Sequence, residues 1–450
     1  MLKSNLPHTL ELPGTYMLKT IAKNTFAQGV GKIITILLSV VSTAFLSRYL
    51  QPAGYGDYTF IMSFVLLFGN ISDWGTNIIA VREASHDSKK HPVVFGSIAI
   101  FRILLAIFSI LLLNIAVRVN SNWESLVFPT TIASFVLFGL SLKTSASIVF
   151  QTLLKLENGM IVEILSSVVF LIGILFLAFT NKGGINEAMV IWVGSTFIAA
   201  GVGMFLAMRL SPVDLKINWN IVKNVIWEAL PTGAFLIVFT IYNRIDTIIL
   251  QNYQGSTAVG IYGLSYKIHD NLVLGAVFLM NSLFPLYSKK FSLDSKKEIS
   301  NYYQKTFDVL LPTAIFVFVI TYLFAPVMVN VLGGPQYFQS TEVLRILVFA
   351  TFIAYFNHLT GFSLIAFRKQ KTLLVVGLTA LIFNVLANLL FVPKYSYNAS
   401  AIITIATEGL VLLLSSIAIW KTIGIVPTPF SFLRTASGFL KEKFNAPNPS

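Results

Sequence analysis

Residues 93–117 read VVFGSIAIFRILLAIFSILLLNIAV, 25 positions with one charge, Arg102. A helix rises about 1.5 Å per residue, so roughly 20 such residues cross the hydrocarbon core of a bilayer. The apolar side chains cover every face rather than every second position, which argues against the alternating strands of an outer-membrane barrel. The stretch therefore predicts a membrane-spanning helix, and comparable stretches recur along the whole chain. They run over approximately 24–47, 58–81, 93–117, 125–142, 160–180, 188–208, 229–250, 271–288, 309–333, 346–367, 372–393 and 399–420, with ends set to within about four residues. The predicted class is an all-α integral membrane protein of about twelve spans.

Composition agrees. The 450 residues are 55% hydrophobic and 11% charged, against about a quarter charged in soluble domains, so a soluble enzyme is excluded. The absence of cysteine excludes disulfides, thiolate metal sites and cysteine nucleophiles. Lys3, Glu11, Lys19 and Lys23 precede the first span without a cleavage-site pattern, which predicts a retained helix rather than a signal peptide.

The net charge of +13 invites a nucleic-acid partner until the basic residues are placed on the chain. With a cytoplasmic N-terminus, about 23 of them fall in inside segments and about six in outside loops. That asymmetry puts both termini in the cytoplasm of a multi-pass inner or plasma membrane protein and makes nucleic acid unnecessary. Long inside connections near 209–228 and 289–308 split the spans six and six, the pattern of a duplicated unit around a central cavity. Gly56-Asp57-Tyr58 after the first span matches Gly260-Ile261-Tyr262 after the seventh, and Asn186-Glu187-Ala188 sits like Asn398-Ala399-Ser400. The expected organisation is a cytoplasmic segment 1–23, a six-helix lobe 24–210, an amphipathic linker 211–228, a second lobe 229–420 and a cytoplasmic tail 421–450. Leu215, Ile217, Trp219, Val222 and Ile226 among Lys216 and Lys223 give the linker its two faces. The tail, with Phe430, Phe432, Leu433, Arg434, Phe439, Lys441 and Lys443, reads either as a second interfacial segment or as a loosely ordered end.

No phosphate-binding loop and no H-E-x-x-H occurs, which excludes ATP hydrolysis on this chain and predicts no cofactor and no metal. Chemistry must come from charges inside the spans: Lys32, Asp73, Arg102, Glu163, Arg244, Asp246 and Glu408. Each costs a few kcal/mol at mid-membrane unless it meets a partner or a wet cavity. Arg244 lies about 22 Å along the seventh span, beyond the reach of snorkelling. Two readings stand: an anion-binding cavity residue, or a strut to a partner such as Glu408. Asp246, two residues on, faces nearly the opposite side of the helix. Lys32 and Arg102 either snorkel to the cytoplasmic surface or join Arg244 in a cationic path for an anionic substrate. Asp73 and Glu163 read as structural or snorkelling charges. Asn281, Asn357, His358, Asn384 and Asn388 either line a polar cavity that binds sugar hydroxyls or staple helices together. The candidate substrate contacts are thus Arg244, Arg102, Lys32, Asn281 and His358, with Asp246, Glu408 and Asp73 as coupling or structural charges.

The run Ser47-Arg48-Tyr49-Leu50-Gln51-Pro52-Ala53-Gly54-Tyr55-Gly56-Asp57-Tyr58, the Asp73-Trp74-Gly75 stretch through Val81-Arg82-Glu83, and Tyr242-Asn243-Arg244-Ile245-Asp246 with Val259-Gly260-Ile261-Tyr262 resemble the Wzx-type polysaccharide flippases. These belong to the multidrug, oligosaccharidyl-lipid and polysaccharide exporter superfamily. The resemblance spans about residues 20–420. It implies two six-helix lobes that move a polyprenyl-diphosphate-linked glycan between leaflets amid membrane lipids; the partner proteins expected beside such a chain are a polysaccharide polymerase or glycosyltransferases. It carries Arg244 and Asp246 over as site residues. The alternative from the same superfamily is a cation-coupled multidrug antiporter, for which Asp73 or Glu163 would supply the acid in the first lobe.

Overall fold

The computed structural model describes residues 14–86, 91–214, 216–292, 296–429 and 431; side chains are described for 28–85, 91–214, 216–284, 287, 296–429 and 431. The expected interfacial tail beyond Ser431, Leu215 of the linker and the first 13 residues lie outside that set. Every regular element among the described residues is helical. In chain order these are α1 (Gly14–Asp73), α2 (Thr76–His86), α3 (His91–Val119), a 3-10 turn Ser121–Leu126, α4 (Val127–Ser134), α5 (Val136–Thr152), α6 (Leu156–Thr180), α7 (Ile185–Leu210), α8 (Trp219–Ser292), α9 (Lys296–Gly333), a 3-10 turn Pro335–Tyr337, α10 (Ser340–Ala366) and α11 (Gln370–Ile423).

Three of these exceed any single crossing. Straight, the 60 residues of α1 would extend about 90 Å against a hydrocarbon core of about 30 Å. Each long helix is divided by one residue with non-helical dihedrals. In α1 it is Gln51 (φ 59°, ψ 174°), directly before Pro52, whose nitrogen has no hydrogen to continue the ladder. In α8 it is Gly255 (φ 76°), where the missing Cβ makes a positive φ permissible. In α11 it is Ser396 (φ 55°, ψ −144°), just beyond Pro393. Gln51 and Gly255 each stand five residues ahead of their Gly-x-Tyr motifs. Ser396 and the α7 N-cap Gly184 each stand two ahead of Asn398 and Asn186. The breaks thus keep the register of the internal similarity.

Elsewhere the helices differ from the expected spans. The second span is interrupted at Trp74 (φ 50°) and Gly75 (φ 65°), between α1 and α2. α5 runs to Thr152, so Lys143, one residue past the expected end of the fourth span, sits within a helix. The expected linker helix is instead a non-helical stretch, 211–214 and 216–218, followed by the first turns of α8 itself.

Exposure is inverted relative to a water-soluble protein. Phe176, Phe179 and Ile172 of α6 are exposed, as are Leu390 and Phe391 of α11, while Ser63, Ser145, Thr351 and Asn388 are buried. Apolar side chains face the surroundings wherever the solvent is lipid.

The chain divides into two compact units: residues 1–50 with 57–240, and residues 51–56 with 241–450. The divide falls inside α8, for a local reason. In the first unit, Val225 and Ala229 of α8 share a core with Ile79, Ala80, Ala84, Val94, Ile98 and Ile148. Arg82 pairs with Glu228, and Asn70 bonds the Thr240 hydroxyl and the Leu236 carbonyl (3.3 Å). A Cβ on Gly75 would stand 2.8 Å from the Gly233 nitrogen, so glycine permits this crossing. In the second unit the short 51–56 segment lies on the opening of α8's second part, Gly56 against Ser256 and Gly260 against Pro52. Its larger core joins α8, α9, α10 and α11 through Met280, Tyr303, Leu310, Tyr355, Phe356 and Ile419.

Candidate functional site

In the first unit, Arg102 is fully buried. Its Nη2 donates to Asp73 Oδ1 at 2.5 Å and its Nε to Thr76 Oγ1 at 2.9 Å. The interruption at Trp74 and Gly75 makes this possible, because it sets Asp73 and Thr76 side by side across the break. Neither expectation for Arg102 describes this arrangement: the guanidinium reaches no surface and lines no open path. Two of its nitrogens are committed to protein acceptors, and Nη1 is buried without one among the described residues. Asp73 is its counter-ion. Glu163 is likewise held by Lys143 at 3.0 Å. Lys32 is exposed on α1.

The pair Arg102–Asp73 carries a prediction. Asp73→Ala strands a guanidinium with no exposure, whereas Arg102→Met strands a carboxylate that keeps 25% of its side chain open to hydration. Breaking a buried pair costs about 3–5 kcal/mol, so Asp73→Ala should fall at the upper end and Arg102→Met at the lower. The double variant Asp73→Ala/Arg102→Met should recover most of the loss, read from the unfolding midpoint in detergent. A double variant as unstable as the worse single would reject the strut.

The second unit gathers the other expected charges. Tyr242, Arg244 and Asp246 lie within little more than one turn of α8. Tyr242 and Asp246, four apart, share a face, and Arg244 points away from it. The Tyr242 hydroxyl donates to Glu408 Oε1 on α11 at 2.7 Å, and Asn357 Nδ2 on α10 donates to Glu408 Oε2 at 2.6 Å. Asp246 is buried; it accepts from the Tyr262 hydroxyl and, at 2.7 Å, from the Thr247 backbone N–H. Tyr262 also contacts Thr404 Oγ1 at 3.3 Å. Glu408 therefore fastens α8 to α10 and α11, while Asp246 joins the first part of α8 to Tyr262 of its second part, which meets Thr404 on α11.

Arg244 does not meet Glu408, whose oxygens are taken by Tyr242 and Asn357, so the strut to Glu408 is absent. Its partner is Asp270, which the sequence reading placed just outside a span. The separation, 3.6 Å from Nη2 to Oδ2, is too long for a hydrogen bond. Both are partly open, 24% exposed for Arg244 and 40% for Asp270. Tyr262, Tyr266 and Asp270 recur at four-residue intervals along one stripe of α8, with rings of Tyr262 and Tyr266 5.4 Å apart and of Tyr266 and His269 5.2 Å apart. His358 is half-buried, bonded to the Ala354 carbonyl at 2.7 Å and stacked on Phe362. Asn384 and Asn388 are buried in side-chain bonds to Thr407 and Ser400, as helix staples. Asn281 is exposed. Asn357, His358, Glu408, Arg244 and Asp270 thus form a half-open set of planar polar groups beside aromatic rings, the groups that hydrogen-bond hydroxyls and oxyanions. With the buried Asp246, three carboxylates, Asp246, Asp270 and Glu408, stand against one guanidinium around Tyr266.

Comparison with known proteins follows this geometry. A family model described as polysaccharide biosynthesis protein matches residues 21–291, and a second, described as MatE, matches residues 231–390. An uncharacterized membrane protein of Methanocaldococcus jannaschii is 23% identical over 308 residues, 66% of this chain; the match spans 57% of that relative's length. Among solved structures, the lipid II flippase MurJ in an inward closed conformation superposes with a TM-score of 0.71 at 13% identity, over 92% of this chain and 98% of that one. An inward-facing multidrug resistance MATE transporter of the MOP superfamily gives 0.68 at 12% identity, over 92% and 96%. A MOP superfamily transporter from Pyrococcus furiosus gives 0.60 at 12%, over 91% and 97%. The fold is therefore that of the MOP superfamily transporters.

Proposed function

The chain belongs to the polysaccharide biosynthesis protein family, and on that premise we propose that it is a flippase carrying polyprenyl-diphosphate-linked oligosaccharide repeat units from the cytoplasmic to the outer leaflet by alternating access, for cell-surface polysaccharide synthesis. The observation that carries the reading is Arg244, a half-open guanidinium within a helix of the membrane domain whose ion pair among the described residues is a loose one. A guanidinium with donors to spare can replace the water that a diphosphate loses on leaving the interface. Among the described residues, nine helical stretches are long and apolar enough to cross a bilayer. Division of three of them at Gln51, Gly255 and Ser396 supports a reading of twelve crossings, an even number that agrees with both termini on one side, the cytoplasmic side favoured by the lysine and arginine distribution. The site of action on this reading is the inner or plasma membrane, between the glycosyltransferases that build the repeat unit and the polymerase that consumes it.

The three carboxylates around Arg244 favour a second reading, the cation-coupled antiporter. Against it, Asp73 and Glu163, the candidate acids of the first unit, are occupied by Arg102 and Lys143. Reconstitution separates the two. Purified protein in proteoliposomes should move a fluorescent polyprenyl-diphosphate-linked oligosaccharide to the leaflet reached by an impermeant quencher, with unlabelled polyprenyl diphosphate as competitor. A stationary glycolipid, together with a cationic dye exchanged against a proton or sodium gradient, would replace the flippase with the antiporter.

A further inference from the structure

The geometry points to Asp270 as an exchangeable counter-ion that holds Arg244 when no anion is bound, yields it to an incoming diphosphate, and takes it back to drive release. The inference rests on the flippase reading. A carboxylate beside an anion site lowers affinity by repulsion, so its presence beside Arg244 needs a reason. Structural pairing is a poor one. The strut in the first unit has Arg102 fully covered, with Asp73 at 2.5 Å and a second bond to Thr76, whereas the Arg244–Asp270 pair is at 3.6 Å and both members are partly open.

The surroundings suit exchange. Tyr242 bound to Glu408 and Asp246 bound to Tyr262 fix the α8 backbone on the face opposite Arg244. The long Arg244 side chain can then change partners while its helix stays in place. A diphosphate offers more charge and several oxygens in the fork geometry of a guanidinium, so it displaces one loosely held carboxylate. Transport also needs binding weak enough for the ligand to leave. Asp270, only one side chain away, supplies the competing charge that limits affinity after translocation.

The test uses the full chain in phospholipid nanodiscs with polyprenyl diphosphate as the binding probe, and proteoliposomes with the fluorescent glycolipid for rate. Asp270→Asn and, as a second variant, Asp270→Ala should bind the probe about tenfold more tightly and, at saturating glycolipid, turn over severalfold more slowly. Asp270→Glu should restore wild-type behaviour. A merely structural role would weaken binding and rate together. If Arg244→Ala abolishes binding while both Asp270 variants bind like wild type or more weakly, the counter-ion role is overturned and the Arg244 contact survives. If Arg244→Ala binds normally, the assignment of Arg244 as substrate contact fails first.

Discussion

Cells carrying Arg244→Ala at wild-type protein levels should lose surface glycan to background and accumulate lipid-linked repeat units on the cytoplasmic leaflet. The size of the effect separates contact from strut. A loose, partly exposed ion pair contributes about 0–1 kcal/mol, so on the strut reading removal of Arg244 would shift the unfolding midpoint by a few degrees at most and leave export largely intact. A guanidinium making two charge-assisted bonds to a diphosphate contributes about 3–6 kcal/mol, which makes its loss a hundredfold effect or more. Arg244→Lys keeps the charge but not the fork and should fall between, near tenfold. Normal surface glycan in the alanine variant, with normal protein level, would sink the assignment. The readings thus differ in which quantity moves: the strut in stability, the contact in transport.

The spans were legible because hydropathy over roughly 20 residues depends on the bilayer and hardly at all on tertiary detail. The partners of the buried charges were less so, for reasons particular to each. Arg102 lies 11 residues after the start of α3 at His91, and Asp73 lies 13 before the end of α2 at His86; antiparallel neighbours at matching depth made the pair available from arithmetic alone. What hid it was the break at Trp74 and Gly75, a tertiary outcome of α2 crossing α8 at Gly233. Asp270 was missed because Gln251, Asn252, Gln254, Lys267 and His269 make 251–270 look like an outer loop. It is helix apart from the break at Gly255, and several of its polar groups are met inside the unit: Gln251 Nε2 meets Ser256, Gln254 Nε2 meets the Val392 and Pro393 carbonyls, and His269 meets Thr351. The Tyr262, Tyr266, Asp270 stripe at helical spacing was the signal in the sequence that could have found it.

Alanine at Gly56 or Gly260 should cost most of the folded protein. The two glycines carry one of the internal matches, a Gly-x-Tyr after the first and seventh spans, and the fold brings them together in the second unit. A Cβ on Gly56 would stand 1.7 Å from the Ser256 carbonyl oxygen, and one on Gly260 would stand 1.9 Å from that of Pro52. Both obstacles are backbone, so no side chain can swing aside, and the two segments would have to separate by about 1.5–2 Å to restore ordinary contact. That separation would uncover Tyr55 and Tyr262, both buried, and Tyr262 holds Asp246. Overpacking where side chains can adapt costs about 1–3 kcal/mol; with rigid partners about 3 kcal/mol or more is expected, a large share of a typical 5–15. Gly194 and Gly361 are the controls, since nothing lies within 4 Å of a Cβ there and alanine should be neutral or stabilising by up to about 1 kcal/mol. The measurement is monodisperse yield and unfolding midpoint in detergent; wild-type values for Gly56→Ala would refute the close approach itself. Because the clash acts through the backbone, combining Gly56→Ala with Gly260→Ala should give no rescue, unlike Asp73→Ala with Arg102→Met, where each change removes the other's stranded charge.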